Sequence, residues 1–420
     1  MRAGEMLAVH MRYTTVMARI EEKQELIYDW NKLEAPPKPA KLLLDDETLR
    51  DGLQSPSVKD PKIEEKIKLL HYMDQLGIDT ADIGLPGAGP RAAADVEALA
   101  AEIVTSKLKI IPNCAARTVM ADIDPIIRIT DKTGAPIEAF CFLGSSPIRQ
   151  YTEGWTVDIL LKHTEEAVTH IVKHGLPCSY VTEDTTRSDP ETLARLYKTA
   201  VECGARGIVI ADTCGHATPY GTMALVQYIR QIVGDGIRID WHGHRDRGLD
   251  LANSFAAWLA GADQVHGAAI GLGERVGNTP MDLLLVTLRL LGWIDRDLTK
   301  LKEYCSLASA ATGVPIPDNY PVMGKDAFRT ATGVHAAAVI KAYNKKDEWL
   351  ANNVYSGVPA YLFGSRQKVE IGPMSGKSNV LFWLSENGFE TTEERVARIY
   401  NAAKQSDRLL TDEEIRALAQ

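Results

Sequence analysis

The sequence lacks the features that mark several classes of protein. Its six cysteines form no CxxC pair and mostly fall in predicted strands or helices, which indicates a reduced, cytosolic protein. No apolar run approaches the length of a membrane span, and the first residues contain no sustained apolar stretch of the kind found in secretory signals. The formal net charge of −9 disfavours nucleic acid and anionic membranes as partners.

The composition is that of a globular protein. Apolar residues make up 45% of the chain and charged residues 25%, which is typical of a soluble protein with a real core. A chain of 420 residues is too long for one ordinary domain. Its length suits one large barrel with an appended region.

Eight short β-rich runs alternate with stretches of helical periodicity. One such stretch places Ile63, Ile67, Leu70 and Met73 on a single helix face. Eight βα units predict a closed parallel (β/α)8 barrel, a TIM barrel, and a doubly wound open sheet is the alternative. The predicted strands are Lys41–Asp46, Ile78–Gly84, Leu108–Asn113, Ile137–Leu143, Cys178–Glu183, Gly207–Asp212, Ile237–His242 and Gln264–Ile270.

The barrel is expected to cover residues 41–295. Residues 1–40 form an N-terminal extension and linker, with a predicted helix over 14–33 that the proline-rich stretch at 35–39 ends. Beyond residue 295 the alternation stops. Residues 296–420 are therefore predicted to be a mainly helical C-terminal region, with one β-like piece at Gln367–Ile371, that contacts the barrel mouth or a partner subunit.

Polar side chains gather at the C-terminal ends of the predicted strands. Enzymes with this fold build their active sites on that rim. Exposed strand ends are polar in any protein, but this explains paired histidines and strand-end arginines poorly. The rim residues are Asp46, Arg50, Asp51, Asn113, Arg117, Ser145, Ser146, Arg149, Glu183, Asp184, Asp212, Thr213, His242 and His244.

The HxH motif His242-Gly243-His244 suggests a metal site. Two imidazoles at i and i+2 of an extended segment point to the same side, as two ligands must, although such pairs also occur as ordinary core or surface histidines. Asp51 would add an oxygen ligand, and mixed nitrogen and oxygen ligands suit Mg, Mn or Zn. Arg50, beside it, either forms a structural salt bridge or stabilises a developing oxyanion.

Four stretches of the chain together resemble a known superfamily. Asp46–Gln54, Ile210–Pro219, His242–Asn253 and Gly271–Asn278 are similar to motifs of the DRE-TIM metallolyases, in the branch of homocitrate synthase and isopropylmalate synthase. The resemblance extends from about residue 41 to about residue 400. It implies a divalent metal held by Asp51, His242 and His244, with Asn278 as a further ligand, and it places Arg50 against the oxo oxygen of the substrate.

The resemblance also implies roles outside the metal site. Gln54 and Thr213 match substrate-binding positions, and Glu183 matches a substrate-side catalytic glutamate. His335 matches a catalytic histidine that the partner subunit of a homodimer delivers. The chain departs from the branch at Arg245, where an asparagine usually follows the HxH motif.

The implied reaction is a Claisen-type condensation of acetyl-CoA with a 2-oxo acid in a cytoplasmic biosynthetic enzyme. The segment Gly144–Tyr151 resembles the homocitrate synthase segment in which an arginine binds a distal carboxylate. Arg149 therefore predicts an acceptor with a second anionic group, unless Arg149 only pairs with Glu153. The alternatives are condensation with an apolar 2-oxo acid, a lyase of the hydroxymethylglutaryl-CoA type, and a non-catalytic scaffold barrel.

Overall fold

The computed structural model describes residues 26–33 and 36–420, which group into two compact units. The first contains residues 39–327 and 362–364, and the second contains residues 328–361 and 365–420 with the described residues before residue 39. Residues 14–25 of the predicted N-terminal helix lie outside the described residues. The described residues 26–33 include the short 3-10 helix Trp30–Lys32 but no α-helix, so the helix prediction is wrong there. The domain boundaries at residues 40 and 295 stay predictions.

Eight parallel strands close into a barrel in chain order, which confirms the (β/α)8 fold and excludes the open sheet. Closure comes from pairing of the first strand with the last, from Leu43 opposite Gln264 to Asp46 opposite Gly267. Each observed strand overlaps its predicted run. The strands are β1 Leu43–Asp46, β2 Thr80–Asp82, β3 Ile111–Arg117, β4 Glu138–Gly144, β5 Cys178–Glu183, β6 Gly207–Asp212, β7 Arg238–Gly243 and β8 Gln264–Gly267.

Ten α-helices belong to the described part of this unit. They are α1 Ile63–Gln75, α2 Pro90–Thr105, α3 Met120–Thr133, α4 Pro147–Glu153, α5 Val157–Lys173, α6 Pro190–Glu202, α7 Pro219–Val233, α8 Asp250–Leu259, α9 Met281–Leu290 and α10 Leu301–Thr312. Helix α6 shows why they form. The Asp189 carboxylate accepts a hydrogen bond from the Thr192 backbone N–H, Pro190 begins the helix, and Leu193 and Leu196 are buried on its inner face.

Ion pairs fill the N-terminal end of the barrel interior. Arg238, the first residue of β7, donates two 3.0 Å hydrogen bonds to the Glu138 carboxylate at the start of β4. It also donates to Asp240 at 2.9 Å. Because these buried charges are paired and hydrogen-bonded, their attraction offsets the cost of removing them from water. The opposite end, where the strands end, remains available for a site.

The second unit is mainly helical. Its helices are α11 Gly333–Asn344, α12 Glu348–Asn353, α13 Lys377–Glu386, α14 Glu393–Gln405 and α15 Asp412–Ala419. A two-stranded parallel sheet joins β9 Arg329–Thr330 to β10 Lys368–Val369. Strand β10 lies within the predicted β-like piece. One cluster of buried apolar residues, including Trp383 and Ile399, packs α13, α14 and α15 together. Among the described residues, no helix is both long and apolar enough to cross a membrane.

Candidate active site

The turn after β1 places Arg50 and Asp51 at the barrel mouth. The carbonyl oxygen of Glu47 accepts hydrogen bonds from the backbone N–H groups of Arg50 and Gly52, at 3.1 and 2.9 Å, and the 3-10 helix Asp51–Gln54 follows. This tight turn directs both side chains inward. Gln54, at the end of the 3-10 helix, also lines the cavity.

Three carboxylates surround the Arg50 guanidinium. Its Nε donates to Asp82 at 2.8 Å, its Nη1 donates to Asp51 at 2.9 Å, and its Nη2 lies 2.6 Å from Oε2 of Glu47. Burial favours a neutral guanidine, but these carboxylates raise the pKa of Arg50 above its usual value. The guanidinium is therefore a fixed cation with a fixed orientation.

The HxH motif lies where β7 ends, as the sequence predicts. The Nε2 atoms of His242 and His244 are 3.3 Å apart, and they lie 3.6 and 3.8 Å from Oδ2 of Asp51. Burial lowers the pKa of His244 to about 4, so its ring is neutral near pH 7. Burial opposes the charge of Asp51 too, but Arg50 and the two histidines hold the pKa of Asp51 well below its usual value. Asp51 and His244 thus have the protonation states that metal ligands need, whereas Glu47 and Asp51 outweigh burial and raise the pKa of His242 above its usual value.

The loop after β8 brings Asn278 to the same point. Its Nδ2 donates to Oδ1 of Asp51 at 3.0 Å, whereas its buried Oδ1 has no hydrogen-bond partner among the described residues. Two glycines let the loop fold back. A Cβ on Gly273 would lie 2.5 Å from Nδ2 of Asn278, and Gly277 adopts a positive φ of 109° beside the Gly271 carbonyl oxygen.

These four side chains fit a divalent ion. Ligand atoms about 2.0–2.2 Å from an ion stand roughly 3–3.6 Å from one another in tetrahedral or octahedral geometry, close to the separations found here. The unpartnered oxygen of Asn278, on a side chain hydrogen-bonded to Asp51, would add a hard donor to the set. The donor set, two nitrogens with carboxylate and amide oxygens, suits the predicted Mg, Mn or Zn.

A cavity opens beside this cluster, and its opposite wall is mainly apolar. Its polar lining includes Gln54, Glu183 and Thr213, as well as the metal-site residues and Glu274 and Arg275 of the β8 loop. Thr213 follows β6, and its Oγ1 accepts a 2.8 Å hydrogen bond from the Asp184 backbone N–H. Seven apolar residues complete the lining, and all except Leu85 lie on β3 to β6. They are Leu85, Ala115, Phe140, Phe142, Val181, Val209 and Ala211.

Arg149 does not belong to the cavity lining. It lies on α4, where its Nη1 pairs with Glu153 at 3.0 Å and its Nε lies 3.7 Å from Oε1 of Glu183. The guanidinium also packs over the Trp155 ring, 5.8 Å from its centroid. The structure therefore has the alternative that the sequence also allows, an ion pair between Arg149 and Glu153. The prediction that Arg149 binds a second anionic group of the acceptor therefore gains no support from the cavity.

His335 lies in the second unit, on α11. Its ring stacks on Tyr355, with the centroids 4.2 Å apart and the planes 29° from parallel. Its delivery to the active site of a partner subunit stays a prediction.

Sequence reasoning missed three buried residues of the site: Glu47, Asp82 and His266. Nδ1 of His266 lies 2.9 Å from Oε1 of Glu47, and Nδ1 of His242 lies 3.1 Å from the same oxygen. Although burial favours a neutral ring, Asp45, Asp240 and Glu47 raise the pKa of His266 to about 10. Glu47 directly follows β1 and Asp82 ends β2, so the strand-end signal was present for both. His266 lies within β8 and carries no such signal.

Comparison with known proteins identifies the family. The family model described as HMGL-like matches residues 41–310. A probable 2-isopropylmalate synthase from Methanopyrus kandleri is 32% identical over 87% of this chain and 70% of its own length. A homocitrate synthase from the same organism is 30% identical over 87% of this chain and 88% of its own length.

Among solved structures, a hydroxymethylglutaryl-CoA lyase from Pseudomonas aeruginosa aligns with a TM-score of 0.54 and 21% identity. The alignment covers 66% of this chain and 93% of that one, and it shows a shared fold alone. The relatives confirm the superfamily and branch that the motifs indicate, and the scaffold alternative is wrong. The chain belongs to the HMGL-like family and is an enzyme of its acyl-condensing synthase branch.

Proposed function

We propose that this protein condenses acetyl-CoA with a 2-oxo acid that carries an apolar side chain, releasing CoA and a 2-hydroxy dicarboxylate. One observation carries the proposal: the buried Asp51, His242 and His244 cluster faces a cavity whose far wall is apolar. The names of the relatives, isopropylmalate synthase and homocitrate synthase, support the reaction class.

The metal-site residues would bind the acceptor through an ion. Asp51, His242 and His244 would hold Mg, Mn or Zn, with Asn278 as a further ligand. When bound, such an ion polarises the oxo group of a chelated 2-oxo acid. Thr213 would bind the carboxylate of the acid by a hydrogen bond. Because its Oγ1 already accepts from the Asp184 N–H, its hydroxyl proton is free to donate to the acceptor carboxylate.

Arg50 would stabilise the oxyanion. Two of its five N–H groups donate hydrogen bonds to Asp82 and Asp51, and Nη2 forms an ion pair with Glu47, so N–H groups remain for an oxygen in the cavity. The carboxylates prevent the guanidinium from reorienting during the reaction. A preorganised donor of this kind is worth about 100- to 1,000-fold in kcat in other enzymes.

The bond-forming step needs a base for the acetyl methyl group. Glu183 is one candidate, since it lines the cavity and its side chain is one-third exposed. The other candidate base is His335 of a partner subunit, if the protein forms the expected cytoplasmic homodimer. The base takes a methyl proton, the resulting carbanion attacks the oxo carbon, and the alkoxide takes up a proton. Water then cleaves the thioester and CoA leaves.

The apolar wall supports an apolar acceptor. An acid bound to an ion at the metal site would project its side chain across the cavity toward Phe140, Phe142 and Val181. A second carboxylate placed against these three side chains would lose hydration without gaining a hydrogen bond from them, which costs several kcal/mol. Arg149, the cation expected to meet such a group, is paired with Glu153 instead.

A substrate panel tests the proposal. Purified protein with acetyl-CoA and Mg, Mn or Zn is incubated with pyruvate, 2-oxoisovalerate, phenylpyruvate, oxaloacetate or 2-oxoglutarate, and free thiol is followed. We expect thiol release to be fastest with one of the apolar acids. Preference for 2-oxoglutarate or oxaloacetate would support an acceptor with a second anionic group instead. Cleavage of hydroxymethylglutaryl-CoA without condensation would show that the protein is a lyase.

A further inference from the structure

Glu47 lies at the centre of the buried charges behind the cavity. Its side chain is only 1% exposed, and both of its oxygens face nitrogen atoms of basic side chains. Oε2 lies 2.6 Å from Nη2 of Arg50, whereas Oε1 lies 3.1 Å from Nδ1 of His242 and 2.9 Å from Nδ1 of His266. One carboxylate thus connects the arginine of the site to one of its two HxH histidines.

The two nitrogens of His242 face different groups. Nδ1 faces Glu47, while Nε2 faces Asp51 and His244 at 3.6 and 3.3 Å. A carboxylate that accepts the Nδ1–H fixes the ring tautomer and leaves the Nε2 lone pair free. It also limits rotation of the His242 ring, because Oε1 of Glu47 is itself fixed by Nδ1 of His266, 2.9 Å away on a ring that is 2% exposed.

We propose that Glu47 is the positioning residue of the metal site: it orients His242 through Nδ1 so that Nε2 binds the ion. The proposal rests on the proposed metal site. Glu47 itself approaches only the Nδ1 side of His242, so it acts through this ligand. Carboxylates behind metal-binding histidines raise the affinity of such sites about 10- to 100-fold, by orienting the ring and increasing its basicity.

The test measures metal binding directly, without turnover. Metal-free wild type, Glu47→Ala and Glu47→Gln are titrated with Co²⁺ by calorimetry, and the visible absorption of bound Co²⁺ is recorded. Asp240→Asn is the matched control. Asp240 is equally buried in the barrel and also faces His266, but its contacts are with Arg238 and His266.

We expect Glu47→Ala to weaken Co²⁺ binding about 10- to 100-fold. Glu47→Gln keeps an acceptor oxygen but loses the charge, so it should weaken binding about threefold or more and shift the absorption bands. Asp240→Asn should bind Co²⁺ with nearly wild-type affinity. A Glu47→Gln protein with wild-type affinity and spectrum overturns the proposal, whether or not Glu47→Ala folds. Equal losses in Glu47→Gln and Asp240→Asn overturn it too.

The outcome for the wild type separates this role from the proposed function. Wild-type protein that binds no Co²⁺, Mn²⁺ or Zn²⁺ would remove the metal site and the role of Glu47 with it. Tight metal binding by wild type and Glu47→Ala alike would remove the role of Glu47 alone. Thiol release from acetyl-CoA is not needed to distinguish these results.

Discussion

The two walls of the barrel cavity differ in chemistry, although strands of one parallel barrel build both. The wall formed at the ends of β1, β2 and β7 is charged: it carries Glu47, Arg50, Asp51, Asp82, His242 and His244. The facing wall, mostly from β3 to β6, carries mainly Ala, Phe and Val side chains. The charged wall therefore suits the chemistry shared by the branch, and the apolar wall suits the choice of acceptor. Changes on the two walls should therefore have different signatures.

The largest effect is expected on the charged wall. Asp51→Asn removes the charge that accompanies the two histidine nitrogens, so bound metal should fall and kcat/KM should drop about 1,000-fold for every 2-oxo acid, because the ion contributes several kcal/mol. Metal content and steady-state kinetics check this. Asp263→Asn, which removes a carboxylate bound to Arg230 instead, is the control. Full metal occupancy and activity in Asp51→Asn would remove the distinction between the walls.

A change on the apolar wall should alter selectivity instead. Phe142→Ala is expected to lower kcat/KM about tenfold for the largest apolar acid accepted and much less for pyruvate, since lost side-chain contacts cost about 1–3 kcal/mol. Bound metal should not change. Phe255→Ala, on α8 and also half-buried, controls for loss of an aromatic ring outside the cavity lining. Equal losses for all acids in Phe142→Ala would contradict a selective wall.

Arg149→Ala should have a small effect. The guanidinium is 40% exposed and paired with Glu153 outside the cavity lining, so kcat/KM should stay within about threefold of wild type for each acid in the panel. Arg195→Ala, which removes an exposed pair with Asp158, serves for comparison. A loss above tenfold that is confined to 2-oxoglutarate or oxaloacetate would show that the guanidinium reaches the acceptor after all.

Asp46 allows a test of stability behind the charged wall. It is fully buried on β1, where it accepts hydrogen bonds from Tyr304 and from the Thr48 backbone, and burial raises its pKa to about 7 from 3.8. Between these values the folded protein holds a proton that the unfolded chain releases, so stability falls as pH rises from about 4 to about 7. Asp46→Asn should reduce this fall, measured by urea unfolding across that range, with little change in activity. Parallel curves for both proteins would exclude Asp46 as the source.

The barrel and its rim were largely predictable from sequence. The predicted bounds of β5 and β6 match the structure, because short apolar runs with polar ends leave little freedom in placing these strands. Asp51, His242 and His244 meet because parallel strands present their C-terminal ends on one rim. The same rule could have found Glu47 and Asp82.

Other features depend on three-dimensional neighbours that sequence does not reveal. His266 reaches Glu47 only because barrel closure pairs β8 with β1, far away along the chain. Arg149 follows β4 as expected, yet the direction of its side chain depends on Glu153, one helical turn later. The apolar wall is formed by residues from separate strands, and which residues point inward depends on the register around the barrel.

The folded-back loop after β8 has a consequence for anyone who redesigns this enzyme. Any residue larger than glycine at position 273 would push against the amide of Asn278, and one at position 277 would collide with the Gly271 carbonyl oxygen. A mutant library that includes these positions would consist mostly of inactive clones. Diversity is better placed at Phe142, Val181 and Leu85, where side chains border open space and a new shape can be tolerated. The loop and the wall thus divide the cavity into a part to keep and a part to vary.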